Sequence, residues 1–126
     1  MFSHIMIGTN DVERSKGFYD KLLATLDVPP GFVDGGRRIF YRTDAGTLAV
    51  TKPINGEDAC FANGGTIGFA CNSAEQVDAW HAAGVAAGGV TCEDPPGVRA
   101  GPMGALYLAY LRDPDGNKLC GLYRVP

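Results

Sequence analysis

The sequence predicts an α+β fold in which two tandem β-α-β-β-β modules form a curved mixed sheet with a concave cavity. Three observations carry this. The opening pattern returns after 62 residues, each copy runs from an alternating segment into a capped amphipathic stretch, and each copy ends in two β-type runs joined by a tight turn. At 126 residues, with 45% hydrophobic and 20% charged, the chain has the size and balance of a single domain. The repeat divides that domain into a first module over residues 1–58 and a second over 62–126.

The elements follow in order. His4-Ile5-Met6-Ile7-Gly8-Thr9-Asn10 aligns with Thr66-Ile67-Gly68-Phe69-Ala70-Cys71-Asn72, and the same offset pairs Phe18 with Trp80. Asn10 with Glu13, and Ser73 with Gln76, have the cap-and-third-residue spacing that satisfies free backbone N–H groups. Val12, Phe18, Tyr19, Leu22, Leu23 and Leu26 make one apolar stripe, and Ala74, Val77, Trp80 and Val85 make a second. Pro29-Pro30 closes the first helix, and Gly84 with Gly88-Gly89 closes or loosens the second. Short strands are expected near residues 31–33 and 90–92.

Hairpins come next. In the first module, residues 38–42 and 47–51 flank Asp44-Ala45-Gly46; in the second, residues 105–111 and 118–123 flank Asp113-Pro114-Asp115-Gly116. Proline presets the turn and glycine accepts positive φ, so the second turn is the stronger signal. Residues 93–104, punctuated by Pro95-Pro96-Gly97, read as a mobile loop between strands. One helix covers only one face of each module's sheet, so joining the two leaves a concave side open for a ligand.

Composition excludes several classes of function. Eleven basic against fourteen acidic residues give a net charge of -3, and Arg37-Arg38 is the only adjacent basic pair, so no nucleic-acid partner is expected. No apolar run is long enough to cross a membrane, and Met1-Phe2-Ser3-His4 puts no basic segment ahead of an apolar stretch, which reads as a cytoplasmic protein. The four cysteines form no C-x-x-C pair, and they read mostly as buried thiols rather than a metal knuckle or a disulfide framework.

Three motifs in this order carry a resemblance: residues 3–19 (Ser-His-Ile-Met-Ile-Gly-Thr-Asn-Asp-Val-Glu-Arg-Ser-Lys-Gly-Phe-Tyr), Gly65-Thr66-Ile67-Gly68-Phe69-Ala70, and Asp113-Pro114-Asp115-Gly116-Asn117-Lys118-Leu119. With them the chain resembles the vicinal oxygen chelate superfamily, which includes lactoylglutathione lyase (glyoxalase), bleomycin- and fosfomycin-resistance proteins and extradiol dioxygenases. The resemblance covers nearly the whole chain. It implies a homodimer, a small-molecule ligand, and in the enzymes a divalent metal held by His and Glu from both modules, acting as a Lewis acid.

Carried over residue by residue, the ligand positions fall at His4, at Ala49 or Val50, at Thr66 and at Cys120. One imidazole, one hydroxyl and one thiol suit a hard divalent ion poorly, so the expectation is no cofactor, with His4 the one residue able to hold a metal. His4 and Cys120 are the catalytic candidates. An imidazole titrates near neutrality, though a hydrogen-bonded relic explains His4 equally well, and a small buried thiol is more often inert packing. Tyr41, Thr51, Thr66, Tyr107 and Arg112 are the ligand-binding candidates: strand tyrosines can turn hydroxyls to a ligand, and arginine can clamp an anion, although strand-end arginines are more often solvated.

The function expected is therefore a glyoxalase-like or resistance-protein-like molecule binding a small polar or anionic compound in the concave sheet. It would act as a lyase or isomerase on a carbonyl or thiol-adduct substrate, or, as the alternative, bind and sequester without metal or catalysis.

Overall fold

The computed structural model describes residues 1–126 and contains nine strands and two helices. The first module comprises β1 (His4–Gly8), α1 (Val12–Ala24), β2 (Phe32–Asp34), β3 (Arg38–Thr43) and β4 (Gly46–Thr51). Its counterpart comprises β5 (Ile67–Ala70), α2 (Ala74–Ala86), β6 (Val90–Thr91), β7 (Gly97–Gly101), β8 (Gly104–Arg112) and β9 (Lys118–Arg124). Both hairpins and both short strands lie where the sequence put them. The strands form two hydrogen-bonded sheets, β1-β4-β3-β2 and β5-β9-β8-β6, the second joined by β7 on β8. Each is mixed, because β1 runs parallel to β4 and β5 runs parallel to β9 while the hairpins are antiparallel.

Three local expectations are corrected. Asp11, not Asn10, caps α1, accepting from the Arg14 N–H at 3.0 Å; the Asn10 side chain instead holds the backbone of Ala59. Val85 is exposed, and Gly84 takes its place on the inner side of α2, where an added Cβ would lie 2.5 Å from Leu111 and 3.0 Å from Leu22. That glycine lets the helices approach closely. Residues 97–101 are a strand rather than part of a mobile loop, paired with β8 through a two-residue turn at Pro102-Met103. Arg99 fastens the approach to it, donating to the carbonyls of Asp94, Pro95, Gly97 and Leu108 at 2.9–3.1 Å.

Ser73 caps α2 as expected, and the Gln76 side-chain oxygen accepts from the Asn72 N–H at 2.6 Å, completing a reciprocal cap. Both helices bury their stripes in one core shared by the modules: Phe18, Tyr19 and Leu22 of α1 and Val77 and Trp80 of α2 meet Ile39, Val50, Leu111 and Leu119 of the sheets. Trp80 lies over Gly121, where an added Cβ would approach its ring to 2.8 Å. Burying such side chains is worth about 1.5–3 kcal/mol each.

The modules are also locked by polar groups. The β8–β9 turn docks on the end of β1 and the start of α1. There Asp115 accepts from Thr9 Oγ1 (2.9 Å), the Asn10 N–H (2.9 Å), Arg14 Nη2 (2.7 Å) and Ser15 Oγ (3.2 Å). Asp113 accepts from the Tyr19 hydroxyl at 2.5 Å, from the Asn117 amide at 2.8 Å and from the backbone of residues 115 and 117. Asn117 Nδ2 reaches back to the Gly8 carbonyl at 3.1 Å. Thr9, Ser15, Asp113 and Asn117 are buried, and each is satisfied. Burial, followed by the charge of Asp113, holds the Tyr19 phenol well above its ordinary range, so it stays a donor.

Replacing Asp115 takes the carboxylate acceptor from two buried hydroxyls at once, those of Thr9 and Ser15, whereas Arg14 is 46% exposed and its loss costs little. Urea denaturation should show Asp115→Ala losing about 3 kcal/mol of stability and Arg14→Ala under about 1 kcal/mol. Equal losses would contradict this account of the joint.

Candidate functional site

Alternation sends one set of strand side chains to the helices and the other to an open face. On the first sheet Met6, Ala49, Phe40 and Phe32 stand in one register row across the open face, with Met6 and Phe32 exposed. His4, Thr47 and Arg42 form the row on one side, and Thr51 and Arg38 lie on the other. The second sheet repeats the plan with Gly68, Cys120 and Tyr110 in a row. Met6 beside Ala49 and Gly68 beside Cys120 are the same register contact in the two copies.

His4 is exposed, and its Nδ1 lies 2.8 Å from Ser3 Oγ, leaving Nε2 free. Cys120 is buried beside the Tyr110 phenol; Lys118 stands 5.0 Å from the centre of that ring and pairs with Glu93. Burial pushes the Cys120 thiol up; the hydrogen bond with Tyr110 only partly opposes this, and the Glu93 carboxylate adds to it. Such a thiol is a poor nucleophile at neutral pH.

The other candidates scatter. Tyr41 and Tyr107 turn from the open faces toward the helices, each hydroxyl donating at 2.8 Å to a helix carboxylate, Asp20 and Asp78 respectively. Arg112 is engaged within the fold, donating to the Gly116 carbonyl at 2.7 Å with its guanidinium 4.9 Å from the Phe61 ring centre. Thr51 donates to the adjacent Lys52 carbonyl, and Thr66 is exposed just before β5. Neither is brought to a shared site with Cys120.

What the structure does bring together is a cavity of about 470 Å³ where the free edges of β1 and β5 meet the C-terminal end of α1. Sixteen residues line it and eleven are hydrophobic; His4 and Tyr41 are the candidates among them. No Asp, Glu, Lys or Arg lines it. Leu23, Leu26, Val28 and Phe69 form apolar wall, and Thr43, Gly46 and Thr47 come from the β3–β4 turn and the start of β4.

Asp20 supports this wall without touching the space. Its carboxylate accepts from Tyr41, from the Gly31 N–H at 2.9 Å and from Lys16 Nζ at 2.6 Å. Burial alone would raise the Asp20 carboxyl, but these three hydrogen bonds outweigh it and hold the group below its usual range. The sequence placed a cavity in the concave face of the sheet rather than at these strand edges, and it missed Asp20. The Lys16–Asp20 spacing of four on one helix face was the available signal for Asp20.

The metal implied by the resemblance does not fit. Ala49 offers no donor, Thr66 a hydroxyl, Cys120 a buried thiol with raised pKa, and no three His, Cys, Asp or Glu side chains converge anywhere in the chain. Hard divalent ions need more oxygen or imidazole donors than this set provides.

A sequence profile described as Glyoxalase/Bleomycin resistance protein/Dioxygenase superfamily matches residues 1–120. The crystal structure of a glyoxalase/bleomycin resistance protein from Albidiferax ferrireducens superposes with a TM-score of 0.95 at 61% identity, covering 98% of this chain and 99% of that one. A glyoxalase-related enzyme from Fulvimarina pelagi (TM-score 0.74, 21% identity, 98% and 88% covered) shares the fold. So does a lactoylglutathione lyase from Agrobacterium tumefaciens (TM-score 0.67, 19% identity, 97% and 92% covered). No curated protein matches significantly.

Exposure orders the thiols: Cys60 is exposed, while Cys71 and Cys120 are buried, with burial raising the pKa of both. Iodoacetamide labelling at neutral pH, read by peptide mass spectrometry, should modify Cys60 first and leave Cys71 and Cys120 intact until the chain unfolds. Rapid native labelling of Cys120 would restore it as a candidate nucleophile.

Proposed function

The chain belongs to the glyoxalase/bleomycin resistance protein/dioxygenase superfamily, and from that premise we propose that it binds a small organic molecule in the cavity between its modules, without the divalent metal of its enzymatic relatives. The observation that carries this reading is the cavity itself. At about 470 Å³, mostly apolar and with few polar groups, it has the size and lining of a small-molecule site. The lining is less polar than the ligand expected from the sequence would require.

Lyase or isomerase chemistry on a carbonyl or thiol adduct would need a polarising group or a placed base, and among the lining residues only His4 carries an imidazole, on the open face of its sheet. Binding or sequestration makes no such demand. The protein acts in this reading as a cytoplasmic homodimer. Four free cysteines suit a reducing compartment, and the exposed Met6 and Phe32 on one open face suit contact with a second copy. No helix is long and apolar enough to cross a membrane.

Leu26 lines the cavity and packs against the shared core, so Leu26→Asp puts a carboxylate into a lining that has no charged side chain. In a thermal-shift screen of small organic compounds, binders should raise the Tm of the native chain by several degrees and leave Leu26→Asp unmoved. Compounds that stabilise both chains equally would locate the ligand elsewhere. Equilibrium dialysis against Ni²⁺, Mn²⁺ or Zn²⁺ should leave well under one ion per chain; one tightly held ion lost in His4→Ala would overturn the metal-free reading.

A further inference from the structure

The cavity also has a polar seam that no side chain supplies, and the inference drawn from it rests on reading this cavity as the ligand site. We propose that it takes a short extended peptide with a large apolar side chain, added as a strand along the free edge of β5.

Strand geometry sets the seam. The Cys71 N–H donates to the Leu122 carbonyl at 2.8 Å, and peptide groups alternate sides along a strand, so those of Ile67 and Phe69 also face β9. Those of Gly68 and Ala70 face the other way, where β5 has no neighbouring strand. Both residues are exposed, both line the cavity, and neither backbone has a hydrogen-bond partner within the chain.

The other copy shows what such an edge accepts. Offset by 62, Gly8 is the counterpart of Ala70; Thr9, the counterpart of Cys71, makes the same ladder bond, donating to the Thr51 carbonyl at 2.9 Å. The Gly8 carbonyl therefore also points off its edge, and there it accepts from the Asn117 side-chain amide at 3.1 Å. The first hairpin turn, Asp44-Ala45, offers the Ala70 carbonyl no such amide. An amide brought by a ligand takes that role.

Gly68 and Ala70 each present an N–H and a C=O, about 6.6 Å apart along the strand, and an extended chain of amides meets both. These groups lie in the plane of the sheet, so a paired residue in register with Phe69 turns its side chain to the helix side. Leu23, Leu26, Val28 and Leu48 line the cavity there, and with no charged side chain among the lining residues an apolar side chain is favoured. On the open side nothing lies within 4 Å of where a Gly68 Cβ would stand, which leaves the peptide backbone room to approach.

Two-dimensional NMR of the isotope-labelled full chain tests this with acetyl-Ala-Leu-Ala amide as the probe. One peptide should bind per chain and move the amide proton resonances of Gly68 and Ala70 downfield, because both N–H groups gain acceptors. Acetyl-Ala-Ala-Ala amide should bind about tenfold more weakly, and the leucine peptide methylated on every amide nitrogen should not bind. Ala70→Pro removes one edge N–H while leaving the ladder to β9, and should weaken the leucine peptide about fivefold. No saturable binding, equal affinity for the two peptides, undiminished binding of the methylated peptide, or shifts that avoid β5 each overturn the proposal. So does a downfield shift of Gly68 and Ala70 that follows protein concentration without peptide, since the edge then pairs with a second copy. Where the peptides fail but other compounds stabilise the native chain and not Leu26→Asp, the proposal falls and the cavity remains the ligand site with a different ligand class. If every binder stabilises both chains alike, the cavity reading itself falls, and this inference with it.

Discussion

The joint between the β8–β9 turn and the start of α1 is the constraint on which the rest of the molecule depends. Neither module buries its helix alone: the core is common to both, and Leu22 of α1 meets Leu111 of the second sheet across Gly84. Apolar packing sets no fixed angle between two such halves. A turn whose two carboxylates accept directional hydrogen bonds from Thr9, Asn10, Arg14, Ser15 and Tyr19 does, and their burial makes any misfit costly. The width of the space between β1 and β5 follows from that angle.

Much of the architecture was legible because it depends on local chemistry. Alternation, cap spacing and turn residues determine strands, helices and hairpins before any long-range contact forms, and the repeat supplied the pairing of modules. Errors arose where neighbours in space overrode neighbours in sequence. Val85 completes an apolar pattern, yet the close crossing of the helices needs the missing side chain of Gly84 there. Asn10 has the cap spacing, but its amide is claimed by Ala59, 49 positions away, and Asp11 takes the role. Strand β7 hides in a run of Gly and Pro because its order comes from β8 and from the guanidinium of Arg99.

The site was less legible than the fold. Transferring metal-binding positions by motif needs only alignment, and it put His4, Ala49 and Cys120 on strands and Thr66 just ahead of one. Whether a tyrosine faces a ligand or a helix depends on register and on the partner its hydroxyl finds, which is why Tyr41 and Tyr107 went to Asp20 and Asp78. A void leaves still less trace in sequence. It is defined by what fails to fill it.

The duplicated halves differ most at their hairpin ends. In the second copy the five residues Asp113–Asn117 reach the exit of β1 and plug the seam; in the first, the corresponding turn is only Asp44-Ala45, and the exit of β5 opposite it is left unplugged, lining the cavity with Phe69 and Ala70. The two copies thereby divide the labour, one hairpin end serving as mortar and the other leaving a vestibule. A substitution in that vestibule leaves the masonry untouched.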